Sequence, residues 1–238
     1  MANKLNQFTT HSSQFTNFAF TLAETLIVMG IIGVVAALTL PNLNSSTGDK
    51  EKVAKVKKIY SNLNDAFGRA QAVYGPYDEW FKNDNDYASQ STRSANRMTE
   101  FMKISKSCTN WSGCMTSNTT NPLANFDDCD LPGPSYILSD GIAISFKYNK
   151  FIIVDIDGPK KGSFTMGKDI FLFEFKNNEL LPGYLELMHS NPGEYCWNEE
   201  GLGCSTWVIE NGNMDYLKAT NGTCPNGTVL SWTNTTCK

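Results

Sequence analysis

The sequence predicts an α+β chain in which a long N-terminal helix precedes an antiparallel sheet. Three observations predict it: a continuous apolar run from Phe20 to Leu40, an apolar stripe of helical period from Val53 to Tyr74, and strand signals that accumulate after Ser135. A chain of 238 residues suffices for one substantial core and a small appendage. Composition sets the boundaries: 1–19 a polar leader, 20–41 an apolar helix, 42–76 an amphipathic helix, and 77–238 a head of loops and antiparallel strands.

Met1–Ala19 is polar, holds Lys4 and His11, and lacks an apolar block long enough for a secretory signal. The run FTLAETLIVMGIIGVVAALTL that follows has 21 residues and one charge. At about 1.5 Å per residue it makes a helix of about 30 Å, the thickness of bilayer hydrocarbon, so it is expected to cross a membrane once. The chain is polar from Asn42 to Asp49. Val53, Val56, Tyr60, Leu63, Phe67, Ala70 and Tyr74 then recur at steps of three and four, with Ile59, Ala66 and Val73 widening the same face. Gly75-Pro76 ends this helix. About three heptads are too few for a free coiled coil, so the stripe is expected to lie on the core of the head.

Tyr77–Asn125 is polar and irregular and reads as loops with short helix. Ile142–Tyr148 and Phe151–Ile156 flank a Tyr-Asn-Lys turn, Ile170–Phe175 is a further strand, and Thr206–Glu210 is expected to form a hairpin with Met214–Leu217 across Asn211-Gly212-Asn213.

All seven cysteines lie beyond the apolar run, in stretches rich in Asn, Ser, Thr and Gly. That placement predicts disulfides in an oxidising compartment. Local loop closure pairs Cys196 with Cys204 and Cys224 with Cys237; of Cys108, Cys114 and Cys129 one is left over, because the count is odd. Metal ligation by cysteine is the rival reading, but no C-x-x-C spacing occurs. The net charge of −4 provides no dominant basic face, so no specific nucleic acid is expected as a partner.

Catalytic chemistry has little to rest on. His11 lies in the leader, so any nucleophile–base arrangement falls to His189, in the turn-like MHSNPG, with no nucleophile motif beside it. No enzymatic activity and no required cofactor are expected. Asp155-Ile156-Asp157-Gly158, with Asp169 after a short loop, is a candidate oxygen cluster for a hard cation such as calcium. It departs from an EF-hand, because Gly158 falls at the fourth position and Met166 stands where the bidentate Glu belongs. The alternative is that the aspartates cap an Asp-Gly turn.

The segment AFTLAETLIVMGIIGVVAALTLP resembles the N-terminal cleavage and methylation segment of type IV prepilins and type II secretion pseudopilins. In that family a small residue precedes the cut, Phe opens the mature chain, Thr-Leu follows, Glu is fifth, and Pro comes at the twenty-second place; Ala19, Phe20, Thr21, Leu22, Glu24 and Pro41 stand at those places here. The family usually has Gly where Ala19 stands, and its leaders tend to carry several basic residues where this one has Lys4 alone. The resemblance implies that a prepilin peptidase cuts between Ala19 and Phe20 at the cytoplasmic face and that the new amine of Phe20 is methylated. It also implies that Glu24 pairs with the Phe20 amine of a neighbouring subunit, and that Gly30, Gly33 and Pro41 let the helix bend or melt in the assembly. Some pseudopilins hold calcium in a head loop, which bears on Asp155, Asp157 and Asp169.

The physics of Glu24 agrees with this, since a carboxylate inside a spanning helix costs roughly 2.5 kcal/mol or more at the bilayer centre and calls for a partner. The implied function is structural: a pilin or pseudopilin anchored in the inner membrane with an extracytoplasmic head, whose partners are identical or related subunits. A minor tip adhesin or ligand-binding pilin is the second reading, and a DNA-uptake pilin the third. One feature opposes the topology: five lysines between Asp49 and Lys58 against Asp49 and Glu51 would favour the cytoplasm by the positive-inside rule.

Overall fold

A computed structural model of the chain describes residues 22–82, 84–109, 113–115, 133–159, 161, 164–197 and 201–237, the side chains at 36–47 and 186 excepted. Two units are distinguished, Met1–Ser46 and Thr47–Lys238. Helix α1 (Leu22–Tyr74, 53 residues) supplies residues to both. It continues through Pro41 and the polar stretch 42–49. Among the described residues no helix is long and apolar enough to cross a membrane. Of the predicted span, side chains are described from Leu22 to Val35.

In the second unit α1 buries the predicted stripe: Val56, Ile59, Leu63, Ala66 and Ala70 are fully enclosed, and Val53 and Phe67 nearly so. Each large side chain hidden this way is worth about 1.5–3 kcal/mol. Val73 is the exception, 62% exposed. The chain reverses immediately after it: Gly75, at φ +83, donates its N–H to the Gln71 carbonyl at 2.9 Å. The following 3-10 turn Tyr77–Phe81 then packs Tyr77 and Trp80 on Phe67, with ring centroids 5.3 and 6.0 Å away. These rings, not Val73, complete the core at that end. Helix α2 (Tyr87–Thr99) follows, its first turn capped by Asp86, which accepts from the Ser89 N–H at 2.9 Å.

Six strands form one antiparallel meander in chain order: β1 (Ile104–Cys108), β2 (Ser135–Leu138), β3 (Ala143–Lys147), β4 (Phe151–Asp155), β5 (Ile170–Lys176) and β6 (Glu179–Pro182). Tyr148-Asn149-Lys150 joins β3 to β4 as expected. The β5–β6 turn is Asn177-Asn178, with φ +53 and +61, the double left-handed conformation that suits the twist of a tight hairpin. Ile152, Val154, Phe171, Phe173 and Phe175 belong to the core that contains α1, whereas Ala143, Ile153, Ile170 and Leu172 pack with Phe164, Met166 and Leu202 on the other face. Both faces are covered, so FIIV and IFLF read as continuous apolar runs with no alternation.

The predicted hairpin at 206–217 is corrected. Cys204–Asn211 is a helix, with α3 (Leu185–Ser190) before it, so it is α4; Asp215–Lys218 is a 3-10 turn. Gly212 caps α4 at φ +65, donating to the Val208 carbonyl at 3.0 Å. An Asn-Gly pair serves a helix end as well as a hairpin, and local signals do not separate the two. The tertiary contacts decide: adjacent Trp207 and Val208 are both fully buried, which a strand with one wet face forbids.

Candidate functional site

The N-terminal part of α1 presents apolar side chains on every side. Leu22, Leu26, Ile27, Val28, Met29, Ile31, Ile32, Val34 and Val35 are each between 53% and 81% exposed. Glu24 lies in the first turn of this segment, and the Thr25 hydroxyl folds back on the Leu22 carbonyl at 2.9 Å. A Cβ added at Gly30 or Gly33 would meet nothing within 4 Å, so no contact within this chain requires glycine at either place. Pro41 falls inside α1. Ala19 and Phe20, the expected cleavage and methylation residues, lie outside the described residues.

The head meets α1 through a ladder of charges that the sequence did not reveal. Lys52 Nζ lies 2.7 Å from Asp169 Oδ1 and 3.7 Å from Asp157 Oδ2, and donates to the Lys168 carbonyl at 3.2 Å. Lys55 Nζ is 3.1 Å from Asp157 Oδ1 and 3.2 Å from Glu51 Oε1; Lys58 Nζ is 2.7 Å from Asp140 Oδ2. Burial works to lower the pKa of Lys55, but hydrogen bonds to Asp157 and Glu51 outweigh it and raise the value. The signal was present as spacing: lysines at every third position, each just before a member of the apolar stripe, flank the buried face.

Asp155 is buried and uses Oδ1 to accept from the N–H groups of Asp157 (3.1 Å) and Gly158 (2.9 Å). Gly158, at φ +74, has no room for a side chain, because a Cβ would sit 2.4 Å from the Gly141 carbonyl oxygen. Asp155 thus closes the Asp-Gly turn, while Asp157 and Asp169 face lysine ammonium groups. Among the described residues no group of three or more His, Cys, Asp or Glu is arranged to hold a metal ion.

Three disulfides join Cys108 to Cys114, Cys196 to Cys204, and Cys224 to Cys237. The last two are the local closures expected from the sequence, and Cys129 lies outside the described residues. Cys196–Cys204 ties the π-helical turn Gly193–Trp197 to α4, above a knot of indoles in which Trp207 sits 5.1 Å from Trp197 and 5.2 Å from Trp232. Gly222 packs so closely on Trp197 that a Cβ would fall 2.3 Å from its Nε1. His189 is half exposed, with Nε2 2.9 and 3.0 Å from the two Glu210 oxygens.

The sheet edges are poorly suited to pairing with another chain. Edge strand β1 is five residues long and irregular between Ile104 and Lys106. At the other edge β6 ends in Pro182, and its Leu180 carbonyl already accepts from Tyr60 Oη at 3.2 Å. Comparison with family models, with curated proteins and with solved structures finds no match to this chain.

Proposed function

We propose that this protein is a pilin-like structural subunit: a prepilin peptidase removes the leader before Phe20, α1 anchors the chain in the inner membrane, and the same segment assembles subunits into a pilus or secretion pseudopilus. The observation that carries this reading is the segment Leu22–Val35, whose apolar side chains stand exposed all round the helix. A helix apolar on every side is covered by lipid or by other helices. The blunted sheet edges favour the same reading, since they leave the helix as the element through which copies join.

Lys52, Lys55 and Lys58, which carry much of the positive charge that opposes an extracytoplasmic placement, pair with Asp169, Asp157 and Asp140 of the head. Acidic residues count for little in the positive-inside rule, so the extracytoplasmic placement rests on the length of the head, because long domains translocate largely regardless of charge.

Sequencing the mature N-terminus from the native host tests the proposal. A start at N-methylated Phe20 is expected. An intact leader, or a cut after Ala37, would overturn it.

A further inference from the structure

The second face of the sheet carries a small cleft beside a terrace of aromatic rings. Register places Lys147, Phe151, Glu174 and Leu181 directly opposite one another across β3, β4, β5 and β6, so they form one transverse row. Phe151 begins the terrace: its ring is nearly parallel to Tyr184 (17°, centroids 6.2 Å apart), and Tyr184 is nearly parallel to Tyr195 (13°, 5.8 Å). Tyr184 is half-buried between these two rings and also lines the cleft. Lys150, Glu174, Lys176, Leu181, Tyr184 and Leu187 line a cleft of about 140 Å³ next to it.

Two features of the cleft bear on a ligand. Tyr184 is held at φ +56, ψ +32, a left-handed conformation that is costly for a bulky residue and that glycine would adopt freely. Such strain concentrates where structure serves a ligand. Glu174 is half-buried, yet its carboxylate makes no hydrogen bond or ion pair among the described residues. Lys150 lies 5.0 Å from the centre of the Phe151 ring, placing an ammonium at the rim.

We propose that this cleft binds a single pyranose ring of a saccharide. The chemistry matches part by part. A sugar has an apolar C–H face for the ring of Tyr184, hydroxyls that donate to the Glu174 carboxylate, and hydroxyl oxygens that accept from Lys150. An organic cation would satisfy Glu174 but meet two lysines, and a purely apolar ligand would bury the carboxylate unpaired. The volume admits one ring, so the affinity of an isolated monosaccharide is in the range of about 1 mM or weaker, and useful binding would come from many copies along an assembly.

The test uses the full-length protein in detergent micelles and saturation-transfer NMR with methyl pyranosides of neutral, N-acetylated and uronic types. Saturation is expected at the ring protons of at least one of them. Glu174→Gln and Tyr184→Gly should each weaken binding about tenfold, the loss of one good contact. Tyr184→Gly relieves the left-handed strain but also removes the ring stacked on Phe151 and Tyr195, so its binding loss is read at a temperature where circular dichroism shows the variant folded, and Glu174→Gln, which keeps that packing, carries the loss independently. No transfer to any pyranoside, transfer that survives both substitutions, or preferential binding of choline would overturn the proposal. None of these outcomes depends on leader cleavage or filament formation.

Discussion

The two parts of α1 differ in where their apolar side chains go. From Val53 to Ala70 they are hidden against the sheet; from Leu22 to Val35 they are at least half exposed. Pattern accounts for the difference. The later part repeats its apolar residues every three or four positions and leaves a polar side, which suits a single covering surface. The earlier part has no polar side, so a single covering surface cannot satisfy it. One part of the helix is covered by its own chain, and the other keeps its apolar side chains at least half exposed among the described residues.

Substitutions of one kind in both parts would break this comparison most directly. Phe67→Ala should lower head stability by about 3–5 kcal/mol in urea unfolding of the full chain in detergent, because it empties a packed site. Leu26→Ala should leave the same transition within about 0.5 kcal/mol. Equal losses in the two variants would break the comparison between the two parts.

Removing the Cys224–Cys237 disulfide by a double serine substitution should cost about 3 kcal/mol, the loop-closure value for a sequence separation of 13. The Trp232 fluorescence should shift at a lower denaturant concentration, with Asp215, which accepts from the Cys237 N–H at 2.8 Å, released as well. Unchanged stability without this disulfide would show that the indole knot holds the C-terminal loop alone.

Lys52→Met tests the ladder. Asp169 has only 2% of its side chain exposed, so loss of the ammonium 2.7 Å away should cost about 1–3 kcal/mol. A neutral result would make the ladder ornamental.

Alkaline titration sharpens the description of the buried end of the helix. Burial raises the pKa of Tyr77 far above that of a free phenol, against the smaller, opposite pull of its Ser94 hydrogen bond; burial also raises Tyr216. The unfolded chain therefore ionises these phenols first. Their contribution to stability is whole below the unfolded value, near pH 10, and is lost as pH rises above it. Each adds about 1.4 kcal/mol of loss per pH unit in that window, so Tyr77→Phe should flatten the decline measured by circular dichroism by that amount.

Much of the helical part was legible because it depends on local pattern. The stripe from Val53, the stop at Gly75 and the hairpin at Tyr148 each follow from a few neighbouring residues. The hairpin assigned to 206–217 failed for the opposite reason. Asn211-Gly212 suits two structures, and what selects the helix is the burial of Trp207 and Val208 together with the bond from Cys204 to Cys196, both set by distant residues. Asp155, Asp157 and Asp169 were recognised as a group of carboxylates, but Lys52 and Lys55 stand about a hundred positions earlier in the chain.

By itself the sequence determined the apolar character of α1 on every side before Val35, its single-faced stripe after Val53, and an antiparallel head closed by local disulfides. Hydrophobic period, turn residues and short loop closure all act over a few positions, so they can be read along the chain. Only the tertiary structure decided which charges meet. It brought Lys52 to Asp169, and it set Glu174 beside the rings of Phe151 and Tyr184, because strand register and helix docking join residues that no local rule connects.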